Sequence, residues 1–338
     1  MATYLLRRLG QSILVVIGVV VLTFVVQRVL PGDPAVAWAG PHASPADLAR
    51  VRTQLGLDKP LPTQLWRYFA GLAHGDFGVS VHTHQPVAHD LAQAFPASLE
   101  LVGTGMIIAV VVGIPLGLLA ARFLRRGTDT AVRVGTMLGV SMPVFWLALV
   151  LQQVFATALG WFPVAGEYSS SLNQTSPLHV YTNITIVDAF FTGNWPIFVS
   201  TLQHLVLPAL VIAAYPTGVV AQMTRAAVSD ELMRDHTRME RALGFSERTI
   251  LSRFALRPAL SPVVSLLALV FAYALVNAFL VESVFSWPGL GTYAVDAIRS
   301  VDTPAIAGVT LLIAVIYVVA NLVVDLIQAA ADPRVRLT

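Results

Sequence analysis

Nucleotide hydrolysis, peptide cleavage and metal binding each need particular side chains at particular spacing. Lys59 is the single lysine of the chain, and it follows Asp58 with no glycine-rich turn before it. A phosphate-cradling loop needs a lysine placed after such a turn, so the chain carries no P-loop. There is no cysteine, which removes disulfides, thiolate metal sites and a cysteine nucleophile. Neither a His-Glu-x-x-His zinc motif nor a Gly-x-Ser-x-Gly nucleophile elbow occurs. His74, His82, His84 and His89 lie close together, and imidazoles at such spacing can take Ni²⁺ or Zn²⁺. A solvated, histidine-rich loop accounts for them as well, and it is the reading adopted here. The expectation is therefore no catalytic residue, no metal site and no cofactor.

The elements that carry these residues follow from the apolar pattern. Of 338 residues, 56% are apolar and 12% charged, half the charge of a soluble domain. Several stretches exceed the ~18 apolar residues that mark a membrane span. The first runs from Leu9 to about Leu30 behind Arg7 and Arg8. It is too long for a cleavable signal and reads as a retained span, ended by Pro31-Gly32-Asp33-Pro34. Residues 31–96 form a solvated lobe with short amphipathic helices expected at 45–55 and 62–72. Further spans are expected at 98–121, 132–159, 202–223, 259–284 and 304–328. A polar loop at 160–199 carries a short helix near 184–192. Gly113 and Gly117, and Gly135 and Gly139, stand four residues apart, a spacing that lets helices approach closely in lipid; packing within the chain is the expected use. Glu282 and Asp325 lie near span ends, where pairing or snorkelling accommodates them.

Orientation follows from arginine and lysine. With the amino terminus in the cytoplasm, fifteen of the 21 basic residues fall in inside segments. These are the two termini, residues 122–133 and residues 224–258. An arginine at a span centre costs roughly 2.5–3.5 kcal/mol, so Arg122, Arg125 and Arg126 must mark a loop.

The segment from Thr224 to Arg257 is too long for a simple connection. Met239, Ala242 and Leu243 fall on one helical face, and Arg234, Arg238 and Arg241 on another. Gly244 stops the helix, and Ser246 starts a second one as its N-cap, with Thr249 at N3. A basic loop lying on anionic lipid would explain the charge but not the helix–glycine–helix order.

Arg238-x-x-Arg241-Ala242-x-Gly244-Phe245, followed by Leu256-Arg257-x-Ala259-Leu260, resembles the coupling loop of ATP-binding-cassette import permeases. The first, B-type permease subunit of the peptide/nickel branch fits best. Leu55 to Pro62, Gly75-Asp76-Phe77-Gly78-x-Ser80 and Phe95 to Leu101 follow that family's order. So do Pro143-x-Phe145-Trp146-Leu147, Gly160-Trp161-Phe162-Pro163, His204 to Leu210, Glu282 to Gly291 and Asp332-Pro333-Arg334-x-Arg336. Glu240, Leu243, Phe254 and Asn277 depart from its usual residues.

The resemblance implies an all-α integral membrane protein of six transmembrane helices, with the type I importer permease fold and a cytoplasmic coupling helix. It divides the chain into a first helix (1–30), an extracytoplasmic lobe (31–96), a core (97–331) and a cytoplasmic tail (332–338). The implied partners are a homologous second permease, two ATPase domains and an extracytoplasmic solute-binding protein, all at a bacterial inner membrane. Arg238, Met239, Glu240, Arg241, Ala242, Leu243, Gly244 and Phe245 would meet the ATPase. Asn277, polar within an apolar span, either lines the pathway or bonds a neighbouring helix. Peptides lead as substrate, with nickel or another small solute as the alternative. An ion-coupled secondary transporter would need acids or histidines at its span centres, and these have none; an intramembrane enzyme lacks a catalytic constellation.

The topology has a direct test, because the chain has no native cysteine. Cysteine substituted at Ser44 or Ser170 should react with an impermeant thiol reagent in intact cells. At Thr128 or Ser246 it should react only after permeabilisation, and outside labelling of Ser246 would overturn the orientation.

Overall fold

The computed structural model describes residues 2–29, 34–39, 43–54 and 56–331. The helix exit at Leu30–Asp33, Leu55 and the tail at 332–338 lie outside the described residues, as does the side chain of Asp325. The described chain is helical: α1 (Ala2–Val29), α2 (Pro34–Ala39), α3 (Pro45–Gln54), α4 (Leu61–Ala73), α5 (Val87–Arg122), α6 (Gly127–Ser141), α7 (Val144–Leu151), α8 (Leu172–Thr175), α9 (Thr185–Phe191), α10 (Trp195–Met233), α11 (Asp235–Ala242), α12 (Glu247–Thr249), α13 (Leu256–Phe285), α14 (Leu290–Arg299) and α15 (Thr303–Ala331). Two π-helical turns interrupt the order, Gln152–Ala158 after α7 and Ile250–Ala255 before α13. The short helices expected in the lobe, in the 160–199 loop and in the 224–257 segment all form.

Among the described residues, five helical segments are long and apolar enough to cross a membrane: Arg7–Gln27, Val87–Arg122, Trp195–Met233, Glu247–Phe285 and Thr303–Val324. The expected span at 132–159 is not one straight helix. It is a pair, Gly127–Ser141 and Val144–Ala158, bent by 102°. Pro143 causes the break: the ring of a proline drives the preceding residue out of the helical region, and Met142 has φ −76° and ψ 131°.

The chain divides into two compact units. One comprises Pro96–Pro288 together with the chain from Ala320, and the other comprises Ala2–Phe95 and Gly289–Val319. In the first, α10 is packed on by α6, α7, α9 and α13. Glycines set the closest approaches. A Cβ on Gly113 would lie 3.0 Å from the Thr217 carbonyl oxygen, and one on Gly117 would lie 2.5 Å from that of Ala221. A Cβ on Gly139 would lie 3.2 Å from the Ala214 carbonyl oxygen, whereas Gly135 has nothing within 4 Å. Three of the four spaced glycines therefore serve packing within the chain, and Gly135 does not.

Several buried polar groups in this unit bond across elements. Glu282 is fully buried and accepts a hydrogen bond from Ser98 Oγ at 2.6 Å, so it is paired rather than snorkelling. Trp287 Nε1 donates to the Ala97 carbonyl at 2.9 Å. Glu100 accepts from the backbone N–H groups of Thr185 and Ile186, at 3.1 and 3.3 Å, and so ties α5 to the start of α9. The Phe95–Leu101 motif thus holds two other elements through three of its residues. On the 160–199 loop, burial pushes the Glu167 carboxyl above its ordinary range.

In the second unit the buried carboxylate of Asp302 accepts from Ser80 Oγ at 2.5 Å, from the His82 N–H at 3.0 Å and from the Ala305 N–H at 3.1 Å. It caps α15 and pins the loop that follows Phe77. Asp90 accepts from Thr83 Oγ1 at 2.6 Å and from the Tyr293 hydroxyl at 3.1 Å. Burial and the Asp90 charge push the Tyr293 phenol up.

Gly117→Val should clash with a backbone carbonyl that cannot rotate away. It should cost at least the ~1–3 kcal/mol typical of overpacking, read as a lower melting temperature of the purified complex. Gly135→Val, which meets open space, should leave that temperature unchanged.

Candidate functional site

The segment after α10 is built from its own short-range bonds. Thr237 is fully buried and its hydroxyl donates to the Glu231 carbonyl at 2.8 Å, which docks α11 against the end of α10. Arg234 and His236 both approach the Glu231 carboxylate, at 3.2 and 3.5 Å. Arg238 reaches back to Asp235 at 3.4 Å.

The end of α11 shows why glycine is required. Gly244 has φ +82°, the left-handed region in which a side chain is strained. Its N–H donates to the Arg241 carbonyl at 3.0 Å, and the Phe245 N–H donates to the Glu240 carbonyl at 3.2 Å. This pair of bonds is the Schellman closure of a helix. No atom lies within 4 Å of a Cβ placed on Gly244, so the requirement is dihedral and not steric. Ser246 Oγ then accepts from the Thr249 N–H at 3.2 Å and caps α12. Arg241 and Glu247 pair across the turn at 2.8 Å. The Phe245 ring packs edge-on against Phe254, with centroids 5.2 Å apart. Beneath the loop, Ala121, Val228, Leu251, Ala255 and Ala259 form one buried cluster.

This scaffold leaves its apolar face outward. Met239 and Leu243 are each 65% exposed, and Ala242 and Phe245 are also exposed. Glu240 is half-buried, and its Oε2 has no hydrogen-bond partner among the described residues. Short exposed helices usually bury the apolar face and solvate the polar one; here Arg238 and Asp235 are solvated, and the apolar face is exposed as well.

Asn277 lies apart from this loop, on α13. Its Nδ2 donates to the Tyr273 carbonyl one turn earlier, at 2.8 Å, and not to a neighbouring helix. The Tyr273 ring stacks on Tyr215 of α10 with centroids 4.0 Å apart. Leu269, Val276 and Leu280 are exposed on the same side of α13. The outer-lobe histidines do not converge. Among the described residues no three His, Asp or Glu side chains are placed to share an ion. His74 Nδ1 lies 2.7 Å from the Ala70 carbonyl, and His89 Nε2 lies 3.0 Å from Gln93 Nε2.

The profile of the binding-protein-dependent transport system inner membrane component matches residues 113–337. The profile of the N-terminal part of the same membrane component matches residues 1–102. The chain belongs to this permease family. It is 41% identical to a probable D,D-dipeptide transport system permease protein of Escherichia coli K12 over 329 residues, which is 97% of this chain and 96% of that one. It is 37% identical to the dipeptide transport system permease protein of the same strain, over 99% of both chains. Identity is again 37%, over 99% of both chains, with the glutathione transport system permease protein of Salmonella paratyphi A. Among solved structures, the inward-facing MetNI methionine ABC transporter matches 73% of this chain and 95% of its own, with a TM-score of 0.49 and 17% identity. Family membership makes the chain a multi-pass inner-membrane transport subunit with the type I importer permease fold.

Within this permease one tertiary pair escaped the sequence reading. Asp129 on α6 is buried and accepts from Arg225 on α10 at 2.9 Å and from the Arg125 N–H at 3.0 Å. The two side chains are 96 positions apart, and no local pattern marks them as partners. The bond ties the 122–133 turn to the root of the candidate loop. Asp129→Asn should cost about 1–3 kcal/mol, the range for a hydrogen bond to a charged group. Adding Arg225→Gln should restore part of the loss in a double-mutant cycle of melting temperatures, and strictly additive effects would show that the pair is idle.

Proposed function

We propose that this permease forms half of the translocation pathway of a peptide importer and that residues 224–258 couple it to separate ATPase subunits. The observation that carries the coupling role is the outward apolar face of Met239, Ala242 and Leu243 on a helix closed by the Gly244 turn and the Arg241–Glu247 pair. An amphipathic helix presented in this way suits a groove on a partner, and the basic residues Arg238 and Arg241 border it. The partners are a homologous second permease, two ATPase domains and an extracytoplasmic solute-binding protein. Closure of the ATPase pair would push α11. The π-helical turn at Ile250–Ala255 would pass that motion to α13, since Ile250, Leu251 and Ala255 are buried.

The peptide assignment rests on the full-length likeness to dipeptide and glutathione permeases. In this orientation both termini, residues 122–133 and residues 224–258 are cytoplasmic, and residues 31–96 are the extracytoplasmic part. The core at 97–331 holds the pathway. Polar side chains on a spanning helix face a cavity or another helix rather than lipid. The side of α13 that carries Tyr273 and Asn277, with Tyr215 stacked on it, is accordingly the proposed pathway wall. ATP hydrolysis belongs to the partner chains, because no phosphate-cradling loop exists here.

Reconstitution of the complete complex with its binding protein tests the coupling. The purified chain alone should neither bind nor hydrolyse ATP. Gly244→Val should strain the turn by about 1–3 kcal/mol and misdirect α11, while the spans still insert. The expected result is normal membrane level, lost peptide uptake and lost stimulation of the ATPase by loaded binding protein. Ala242→Asp should do the same by placing a charge in the docked face. Wild-type uptake by Gly244→Val at normal membrane level would show that the loop is not the coupling element.

A further inference from the structure

A cavity in the second unit has no part in the loop or the pathway. Its volume is about 300 Å³, at the lower end of small-molecule pockets. Phe24 and Gln27 of α1, Arg67 and Tyr68 of α4, Asp76 of the following turn and Pro304 of α15 contribute to its wall. The apolar stretch of α1 ends at Gln27, and that of α15 begins at Thr303. The cavity therefore lies where two spans leave the hydrocarbon, at headgroup depth. The helices that wall it carry the surface of an interface on their other faces. On the face of α1 away from Phe24 and Gln27, Leu22, Val25 and Val26 are exposed. On α4, Trp66 is 73% and Leu61 60% exposed, as expected of a helix lying along a bilayer surface.

The cavity holds one cation and one anion that do not pair. Arg67 has no ion pair among the described residues. Its guanidinium lies across Gly56, where a Cβ would fall 2.6 Å from Nη1. Gly56 itself has φ +66°, so the conformation requires glycine there, and a Cβ would push the guanidinium aside. Asp76 accepts from the Gly78 N–H at 2.9 Å through Oδ1. The backbone oxygen and Cβ of Asp76 pack over Gly71, one turn beyond Arg67 on the same face of α4. Cβ positions one turn apart are separated by about 5–6 Å. The remaining polar wall is neutral. Gln64 Nε2 is bonded to the Leu57 and Lys59 carbonyls, and Gln27 Nε2 lies 3.5 Å from the Tyr68 hydroxyl.

We propose that this cavity binds the headgroup of a zwitterionic phospholipid with a primary ammonium. The phosphate pairs with Arg67 and the ammonium with Asp76. The glycerol region rests against Phe24 and Pro304. A lone anion would neutralise Arg67 but would be repelled by Asp76. A headgroup carrying both charges about one helical turn apart satisfies the two at once. An ammonium with N–H donors also bonds the Asp76 carboxylate, which a quaternary ammonium cannot do. The inference requires only that α1 and α15 span the membrane, and so stands whether or not the cargo is a peptide.

Native mass spectrometry of the intact, delipidated complex tests it, with phosphatidylethanolamine, phosphatidylcholine and phosphatidylglycerol added in turn. The wild type should bind phosphatidylethanolamine most tightly. Arg67→Gln should weaken it about tenfold or more, the loss of one charge-assisted hydrogen bond. Asp76→Asn keeps the cap on Gly78 and should shift preference toward phosphatidylglycerol. Gly56→Ala should weaken lipid binding with both charges still present, because the strained turn at Gly56 and the guanidinium over it must both shift. Equal phosphatidylethanolamine binding by wild type and Arg67→Gln overturns the proposal. Displacement by millimolar inorganic phosphate would make the cavity a free-anion site, and displacement by a dipeptide with free termini but not by its N-acetyl form would make it a peptide site; either overturns it. Should Arg67→Gln fail to assemble, an unchanged lipid preference in Asp76→Asn overturns it equally.

Discussion

Hydrocarbon offers no partner for a polar group, and the spanning helices of this permease answer to that constraint. The backbone meets it by helix formation wherever the chain crosses. The side chains meet it by pairing. Glu282 takes the Ser98 hydroxyl and Glu100 takes two N–H groups at the start of α9. These acids lie in helices that composition marks as spans, yet neither is left as an isolated charge. Each bond also joins two elements far apart in sequence, so satisfying the acid and fixing the helix position are the same event.

Close helix approach is the second consequence. With lipid as apolar as leucine, helices gain little by hiding apolar surface from it, and contact must come from tight packing. Gly113, Gly117 and Gly139 remove the Cβ atoms that would hold α5 and α6 away from α10. Pro143 acts in the opposite sense by ending α6 and turning the chain through 102°. A straight span is replaced by two short helices, and the freed backbone is absorbed at that corner and by the π-helical turn that follows.

The 224–258 loop exposes its apolar face together with its charged one. Its polar groups bond one another through the Schellman turn at Gly244, the Ser246 cap and the Arg241–Glu247 pair. Nothing within the described chain covers Met239, Ala242 or Leu243. The second unit is organised differently, around the Asp302 carboxylate, whose three donors bring the 80–83 turn onto the first residues of α15.

Period and composition were enough to reveal the helices, because a stretch of some twenty apolar residues has one stable form in a bilayer. The helix–glycine–helix order of the loop was equally legible, since a C-terminal glycine and an N-cap serine act through bonds within four or five residues. Fifteen inward basic residues spoke for an orientation in the same local way. The break at Pro143 was present in the letters but lost inside an apolar run read as one span. What tertiary structure alone decided were the pairings across long separations: Asp129 with Arg225, Ser98 with Glu282, Ser80 with Asp302, and Arg67 over Gly56. No periodicity encodes them, because they depend on where whole helices come to rest. The same holds for Asn277. Its polarity was visible in the sequence, but only the fold showed that its amide bonds its own helix and that its neighbour Tyr273 stacks on Tyr215 of α10.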